Sequence, residues 1–220
     1  MSHMALEKPA KYFRDVRWDI INSVAYGENR VLEIGCGVGN TGLELKKSRK
    51  ASVVWGIEIN SQIAEEASLK LDKVISADIE TLELSEKFEE AYFDYIIAAD
   101  VLEHLFNPWN LIKELKKYLK KDGFIVASLP NVRYWEVFKF LLVNKSWKYS
   151  SDGVLDWTHL RFFTKTDIIN MFVDNGFEVK FIRPKFRFNK KNVHNIFNYL
   201  TLFLMQDFLT RQYVIKVKKV

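Results

Sequence analysis

The chain has 220 residues, enough for one well-buried core and inside the usual domain range of about 50–250 residues. Apolar residues make up 48% and charged residues 28%, which excludes a disordered chain and a membrane-embedded bundle. The formal charge of +5 and an isoelectric point near 9.1 favour an anionic partner without choosing among nucleotide-linked sugar, nucleic acid and membrane surface.

Met1–Met4 reads as a cloning remnant, and no charged-then-apolar signal segment follows it. Cys36 is the single cysteine, so no internal disulfide forms and a cytoplasmic setting is expected. An N-terminal helical segment is expected over 1–24, its periodic part at Lys8–Ser23. Beyond it, strand-like runs at Arg30–Ile34, Ser52–Ile57, Lys73–Ala77, Asp94–Ala99, Phe124–Leu129, Glu178–Ile182 and Tyr213–Val217 alternate with helical periods at Thr41–Lys47, Ser61–Leu69 and Asn110–Leu119. That alternation predicts an α/β fold, a doubly wound, mostly parallel sheet with helices on both faces, in one domain over 1–220. Lys116, Lys117, Lys120 and Lys121 read as a solvated helix end. Thr164 with Asp167 predicts a capped helix that stops at Gly176.

Two connections are too long for this alternation. Residues 131–163 follow the fifth strand, and 189–211 separate the last two as a helical insertion. The first is expected to be a lid over an acceptor. The aromatic-rich stretch Ile196–Leu209 is too short and too polar to span a bilayer of about 30 Å. It is expected to pack on the acceptor side or on a partner, with Lys185, Arg187, Lys190 and Lys191 allowing shallow membrane contact.

The strongest local motif is Val31-Leu-Glu-Ile-Gly-Cys-Gly-Val-Gly-Asn40, an apolar strand running into three glycines two apart. Glycine permits the tight turn and lets backbone approach a ligand, so Gly35, Gly37 and Gly39 are ligand-facing candidates. The spacing differs from the G-x-G-x-x-G of dinucleotide folds, which argues against a nicotinamide dehydrogenase. Gly56-Ile-Glu-Ile-Asn60 places Glu58, followed by Ile59, about 20 residues past the turn, where a carboxylate can accept from ribose hydroxyls. Ser76-Ala-Asp-Ile-Glu80 offers Asp78 to an adenine amino group and Ile79 to cover the ring. Phe93-Asp-Tyr-Ile-Ile-Ala-Ala-Asp-Val-Leu-Glu-His104 brings Asp100 and Val101 to the floor.

In their order these segments resemble the successive motifs of class I S-adenosylmethionine-dependent methyltransferases, over most of the chain. The resemblance implies S-adenosylmethionine as cofactor, with S-adenosylhomocysteine as product. It also implies a seven-stranded sheet whose last strand is antiparallel and inserts between the fifth and sixth. By that resemblance the glycine loop lies against the methionine part, Glu58 holds the ribose and Glu33 is the acidic residue before the loop; Arg17 is a further cofactor-binding candidate, in the run Tyr12-Phe-Arg-Asp-Val-Arg17 that resembles the opening helix of a subgroup found in bacterial surface-glycan biosynthesis.

Leu129-Pro-Asn-Val-Arg-Tyr-Trp135, Ser146-Trp-Lys-Tyr149, Gly153-Val-Leu-Asp156 and Thr158-His-Leu-Arg-Phe-Phe-Thr164 resemble a subgroup found in bacterial surface-glycan biosynthesis. That implies a sugar or glycan-intermediate acceptor and a glycosyltransferase partner. Asn131, Arg133, Tyr134, Trp135, Asp156 and Arg161 are the acceptor-binding candidates; the bland alternative is a salt-linked, aromatic-packed lid. A sugar hydroxyl must lose a proton on methylation, and His159 and His104 are the candidate bases, each equally the kind of residue that holds loop backbone in place.

Other readings stay open. An Asn-Pro-Pro-Tyr-like N-methyltransferase signature is replaced here by Ala99-Asp-Val-Leu. RNA or another small molecule as acceptor, and a catalytically silent cofactor-binding partner subunit, remain. No metal-ligand set and no stable nucleic-acid complex are expected, and a homodimer is allowed for.

Overall fold

In the computed structural model, residues 12–185 and 205–220 are described. Seven strands form one sheet in the order β3-β2-β1-β4-β5-β7-β6. β1 (Arg30–Ile34), β2 (Val53–Glu58), β3 (Lys73–Ser76), β4 (Phe93–Ala99) and β5 (Leu119–Pro130) run parallel. β7 (Gln212–Lys219) lies antiparallel between β5 and β6 (Phe177–Lys185), as expected. From β1 the chain winds outward to β3, then returns to lay β4 on the other side of β1. That reversal opens a crevice at the carboxyl ends of β1 and β4.

The period of two along β1 divides the core. Leu32 and Ile34 face a cluster with Ile112 and Leu115 of α4 (Pro108–Tyr118) and Ile168 and Phe172 of α6 (Lys165–Val173). Val31 faces the other cluster, with Ile20 and Ile21 of α1 (Trp18–Ile21), Leu45 of α2 (Asn40–Lys47) and Ala67 of α3 (Ser61–Ser68). Both faces are therefore covered, which is why β1 and β4 read as nearly unbroken apolar runs.

Local signals set the helix ends. The Asn60 side chain accepts from the N–H groups of Gln62 and Ile63 to start α3, and Asn107 accepts from Asn110 N–H ahead of Pro108 to start α4. Thr164 and Asp167 form a reciprocal capping box on α6, and Gly176 leaves it with φ +74°.

Three expectations change. Residues Lys8–Ser23 do not form one helix where described: a single 3-10 turn at Tyr12–Arg14 is followed by extended chain and then the short α1. Arg17 breaks the helix because its N–H donates to Thr41 Oγ1 and its side chain is drawn to Asp100. Lys120 and Lys121 belong to β5, which begins five residues earlier than its apolar run suggests; Lys120 Nζ pairs with Asp94 at 2.7 Å. Lys116, in the last turn of α4, instead donates to the carbonyls of Asn175 and Gly176. Of the 189–211 insertion, 189–204 lie outside the described residues, as do Arg187, Lys190, Lys191 and most of Ile196–Leu209. Its described end is α7 (Gln206–Leu209). No described helix is long and apolar enough to cross a membrane.

Candidate active site

The crevice holds a cavity walled by the ends of β1, β2 and β4, by the residues that follow them, and by the N-terminal segment. At its centre is the glycine turn. Gly35, Gly37 and Gly39 all have positive φ, at +67°, +53° and +77°, a backbone path that a Cβ penalises. A Cβ on Gly37 stands 2.5 Å from the Phe13 carbonyl oxygen, and Val38 N–H donates to that oxygen at 3.1 Å. The N-terminal segment is thus seated directly on the turn, and seating it delivers Arg17. Gly39 faces Leu71 and Ala67 of the α3 region and serves packing; it does not line the cavity.

Glu58 closes the turn from the β2 side. Its Oε2 accepts from Gly37 N–H and its Oε1 from Asn60 N–H, both at 3.0 Å. The Ile59 backbone adds a third donor, which leaves the carboxylate one free lone pair. Burial raises its pKa against these backbone donors.

Glu33 is more extreme. It is 3% exposed, its Oε2 has no hydrogen-bond partner among the described residues, and burial lifts its pKa to about 8 despite the Gly42 backbone and the Arg17 charge. A buried carboxyl group with one unpartnered oxygen on a cavity wall suits a cationic ligand group. Cys36, between these two carboxylates, is pushed up first by burial and then by their charges, so it remains a thiol.

Arg17 bridges the opposite wall. Its Nη1 donates to Asp100 Oδ2 at 2.6 Å, its Nε and Nη2 to Asp19, and Nη2 also to Ser128 Oγ at 3.0 Å. Burial lowers its pKa, and the carboxylates of Asp100 and Asp19 more than reverse this, so the guanidinium stays charged. Asp100 itself sits in the left-handed region at φ +57°, an uncommon conformation for a non-glycine residue, and its Oδ1 accepts from Ser128 Oγ and Gln212 Nε2. Apolar surface comes from Ile34, Ile57, Ile59, Ile79 and Val101.

His104 completes the wall. Its Nδ1 lies 3.1 Å from the Thr158 carbonyl oxygen, which only accepts, so Nδ1 carries the proton and Nε2 is the basic nitrogen. Burial, then the neighbouring His159 ring, lowers its pKa to about 4, so the imidazole is neutral at physiological pH.

The family described as "Methyltransferase domain" (Methyltransf_23) matches residues 10–180. The chain belongs to this methyltransferase family.

The chain is also similar to two curated proteins. A ubiquinone biosynthesis O-methyltransferase of Bradyrhizobium diazoefficiens is 28% identical over 152 residues, covering 68% of this chain and 58% of that protein. The (S)-coclaurine N-methyltransferase of Papaver somniferum is 33% identical over 105 residues, covering 44% of this chain and 28% of that one. The chain therefore spans less than two thirds of the length of these curated relatives. A SAM-dependent methyltransferase of Archaeoglobus fulgidus shares the fold at a TM-score of 0.67 and 20% identity, covering 98% of this chain and 96% of that one. The residues present fit S-adenosylmethionine: a glycine turn, acceptors at Glu58, the partnerless Glu33 oxygen and the apolar isoleucine strip.

Other residues of the methyltransferase domain singled out from sequence fall elsewhere. Asp78 lies beside the cavity, where its Oδ1 accepts from Glu80 N–H, while Ala77 and Ile79 on either side line the wall. None of the six acceptor candidates reaches the cavity. Asn131 is fully buried, with Nδ2 donating to the carbonyls of Asp207 and Thr210. Arg133 is exposed and pairs with Asp207 at 3.5 Å. Tyr134 is buried in a small cluster with Val137, Val154 and Leu155, and Trp135 packs against it. Asp156 Oδ1 accepts from the N–H and hydroxyl of Thr158, and the Arg161 guanidinium donates to the Phe106 carbonyl. Asn131, Arg133 and Arg161 hold the 131–163 segment to the rest of the domain, while Asp156 braces the segment internally.

His159 also stands behind the wall. Its Nδ1 lies 3.0 Å from the Val154 carbonyl and its ring packs edge-on against His104 at 4.8 Å between centroids. Glu103 completes a buried trio with the two histidines whose ligand atoms lie within 4.8 Å of one another, a grouping able to hold a cation that the sequence reading did not assemble. Burial and the Asp100 charge raise the Glu103 pKa well above the ordinary range, which favours the neutral acid. Phe13, Asp19, Thr41, Ser128, Thr158 and Gln212 were also missed. Only the short step from Arg17 to Asp19 was visible as a signal.

Proposed function

We propose that the protein transfers a methyl group from S-adenosylmethionine to a hydroxyl oxygen, with His104 as the base. The observation that carries this reading is His104 itself: a neutral imidazole with its Nδ1 occupied, on the wall of the same cavity as Glu33, Glu58 and Arg17. S-adenosylmethionine supplies an electrophilic methyl group on a sulfonium. Glu58 holds the ribose, and Glu33 faces the cationic amino-acid end. The Arg17–Asp100–Ser128 network fixes the N-terminal segment over the site, and Arg17 attracts the cofactor's carboxylate. His104 Nε2 takes the hydroxyl proton as the oxygen attacks. His159, edge-on to His104, then acts as a positioning residue.

The ubiquinone relatives support oxygen as the methylated atom. For the acceptor we favour a glycan-biosynthesis intermediate, on the likeness of the Leu129–Thr164 stretch to surface-glycan methyltransferases, with a glycosyltransferase as the natural neighbour. A hydroxylated ring like those implied by the ubiquinone relatives is the second reading. Labelled S-adenosylmethionine incubated with nucleotide sugars, lipid-linked glycans and hydroxylated quinone precursors tests both. Label on a sugar oxygen is the expected result. Label on a ring hydroxyl replaces the acceptor class, and label on an amine overturns the hydroxyl reading.

A further inference from the structure

Between its two anchored ends, the 131–163 segment carries a surface unlike that of the other described residues. Ten consecutive residues, 141–150, are exposed, after a short helix (α5, Trp135–Phe138) that runs on into a π turn at Lys139–Val143. Leu142 and Val143 are 74% and 71% exposed, and Leu141, Trp147 and Tyr149 are exposed beside them. Exposed leucine and valine in contact with water are costly, and a run of them signals a surface that something covers.

Its charge is equally one-sided. Lys139, Lys145 and Lys148 are exposed, and no acidic residue stands between Glu136 and Asp152. Among the described residues none of these lysines is in an ion pair. The combination is apolar side chains, a tryptophan and a tyrosine, and uncompensated lysines, on an element too short to cross a bilayer. Trp and Tyr suit the level of lipid headgroups, and lysine suits their phosphates.

We infer that this tip, residues 139–149, docks the protein on an anionic lipid surface, with Leu141, Leu142 and Val143 entering the headgroup boundary and the three lysines pairing with lipid phosphate. A second copy of the chain is a poorer occupant, because a symmetric contact sets the same three lysines against one another. The tip hangs from the carboxyl edge of the sheet: it leaves after Pro130 at the end of β5 and returns through Thr158, which lines the cavity. Docking there holds the cavity's own edge of the domain near the membrane. The inference goes beyond the proposed reaction and does not rest on it.

The test is flotation of the full chain with phosphatidylcholine vesicles and with vesicles of phosphatidylcholine and phosphatidylglycerol, at low and high salt. Three proteins are compared: wild type, Leu142→Asp/Val143→Asp, and Lys139→Ser/Lys145→Ser/Lys148→Ser. All substituted side chains are exposed, and an unchanged S-adenosylhomocysteine titration confirms that each variant is folded. Wild type is expected to float with the anionic vesicles and to be released by salt. The lysine variant should lose about 100-fold in partitioning, close to fivefold per lysine. The aspartate variant should lose binding to the anionic vesicles. Wild type that stays off anionic vesicles overturns the inference, as does flotation that both variants retain. A dimer in light scattering that Leu142→Asp dissolves also overturns it, because the tip is then covered by a second copy.

Discussion

The two ends of the crevice are built differently. On the cofactor side, short strand-to-helix turns pair Gly37 with Glu58 and present Asp100 to Arg17, and the N-terminal segment joins the two through Phe13 and Arg17. On the side of the 131–163 segment, one long connection is held at its base by the Asn131 to Phe163 bridge and by buried side chains, while its middle stands in solvent. Polar residues on the first side turn toward the cavity. On the second they are spent on the protein's own backbone and on Asp207. Identical residue types therefore carry opposite meanings, and what separates them is whether local backbone geometry or distant packing claims the side chain.

Substitutions can break that contrast, and the largest effect belongs to the turn. Gly37→Val should weaken S-adenosylhomocysteine binding by about 100-fold or more, since it combines a β-branched residue at positive φ with a collision against the Phe13 carbonyl. Because the collision is with chain, proteolysis near Asp15–Arg17 should rise in parallel; unchanged proteolysis means the N-terminal segment is not seated by the turn. Glu58→Ala should cost about 30-fold in a calorimetric titration, the scale of losing charge-assisted hydrogen bonds.

Glu33 gives a pH signature. Its pKa is raised from 4.5 to about 8, so the folded state binds the proton more tightly than the unfolded one. The stability this contributes is full below pH 4.5 and is lost as pH rises through 8. Glu33→Gln should therefore leave the ligand-free protein about 2 kcal/mol more stable than wild type at pH 9 and equal to it at pH 4, measured by denaturant titration. In wild type, cofactor affinity should rise with pH through 8 as the carboxylate ionises, and the glutamine variant should lose that rise. The smallest effect is expected on the 131–163 segment: Arg133→Ala, at an exposed pair with Asp207, should change cofactor affinity and turnover by about threefold at most. A larger fall in turnover makes Arg133 an acceptor contact after all.

The pattern of legibility follows the same contrast. The alternating strands and the turn were readable because apolar runs, glycines and strand-end acids are contiguous in sequence, and the place of the antiparallel last strand came from the family resemblance. Glu58 and Asp100 could be named for that reason, whereas Arg17 and Glu33 were named through the resemblance. The extended break at Arg17 was not readable, because Thr41 and Asp100 impose it from far along the chain. Nor was the choice between His104 and His159. Both sit beside polar, loop-like sequence, and only the packing shows one ring on the cavity wall and the other behind it. Asn131, Asp156 and Arg161 look like ligands in sequence for the reason that they make good backbone clamps: each offers several hydrogen bonds at once.

The most direct test of the central claim, a cofactor cavity with His104 as its base, is a paired measurement on His104→Ala. S-adenosylhomocysteine affinity is taken by calorimetry and the methyl-transfer step by single turnover on the acceptor found in the labelling screen. The expected result is affinity within about threefold of wild type and a chemical step slowed by about 100-fold, the usual scale for losing a positioned general base. A folded His104→Ala protein that binds the cofactor and transfers methyl at the wild-type rate would contradict it.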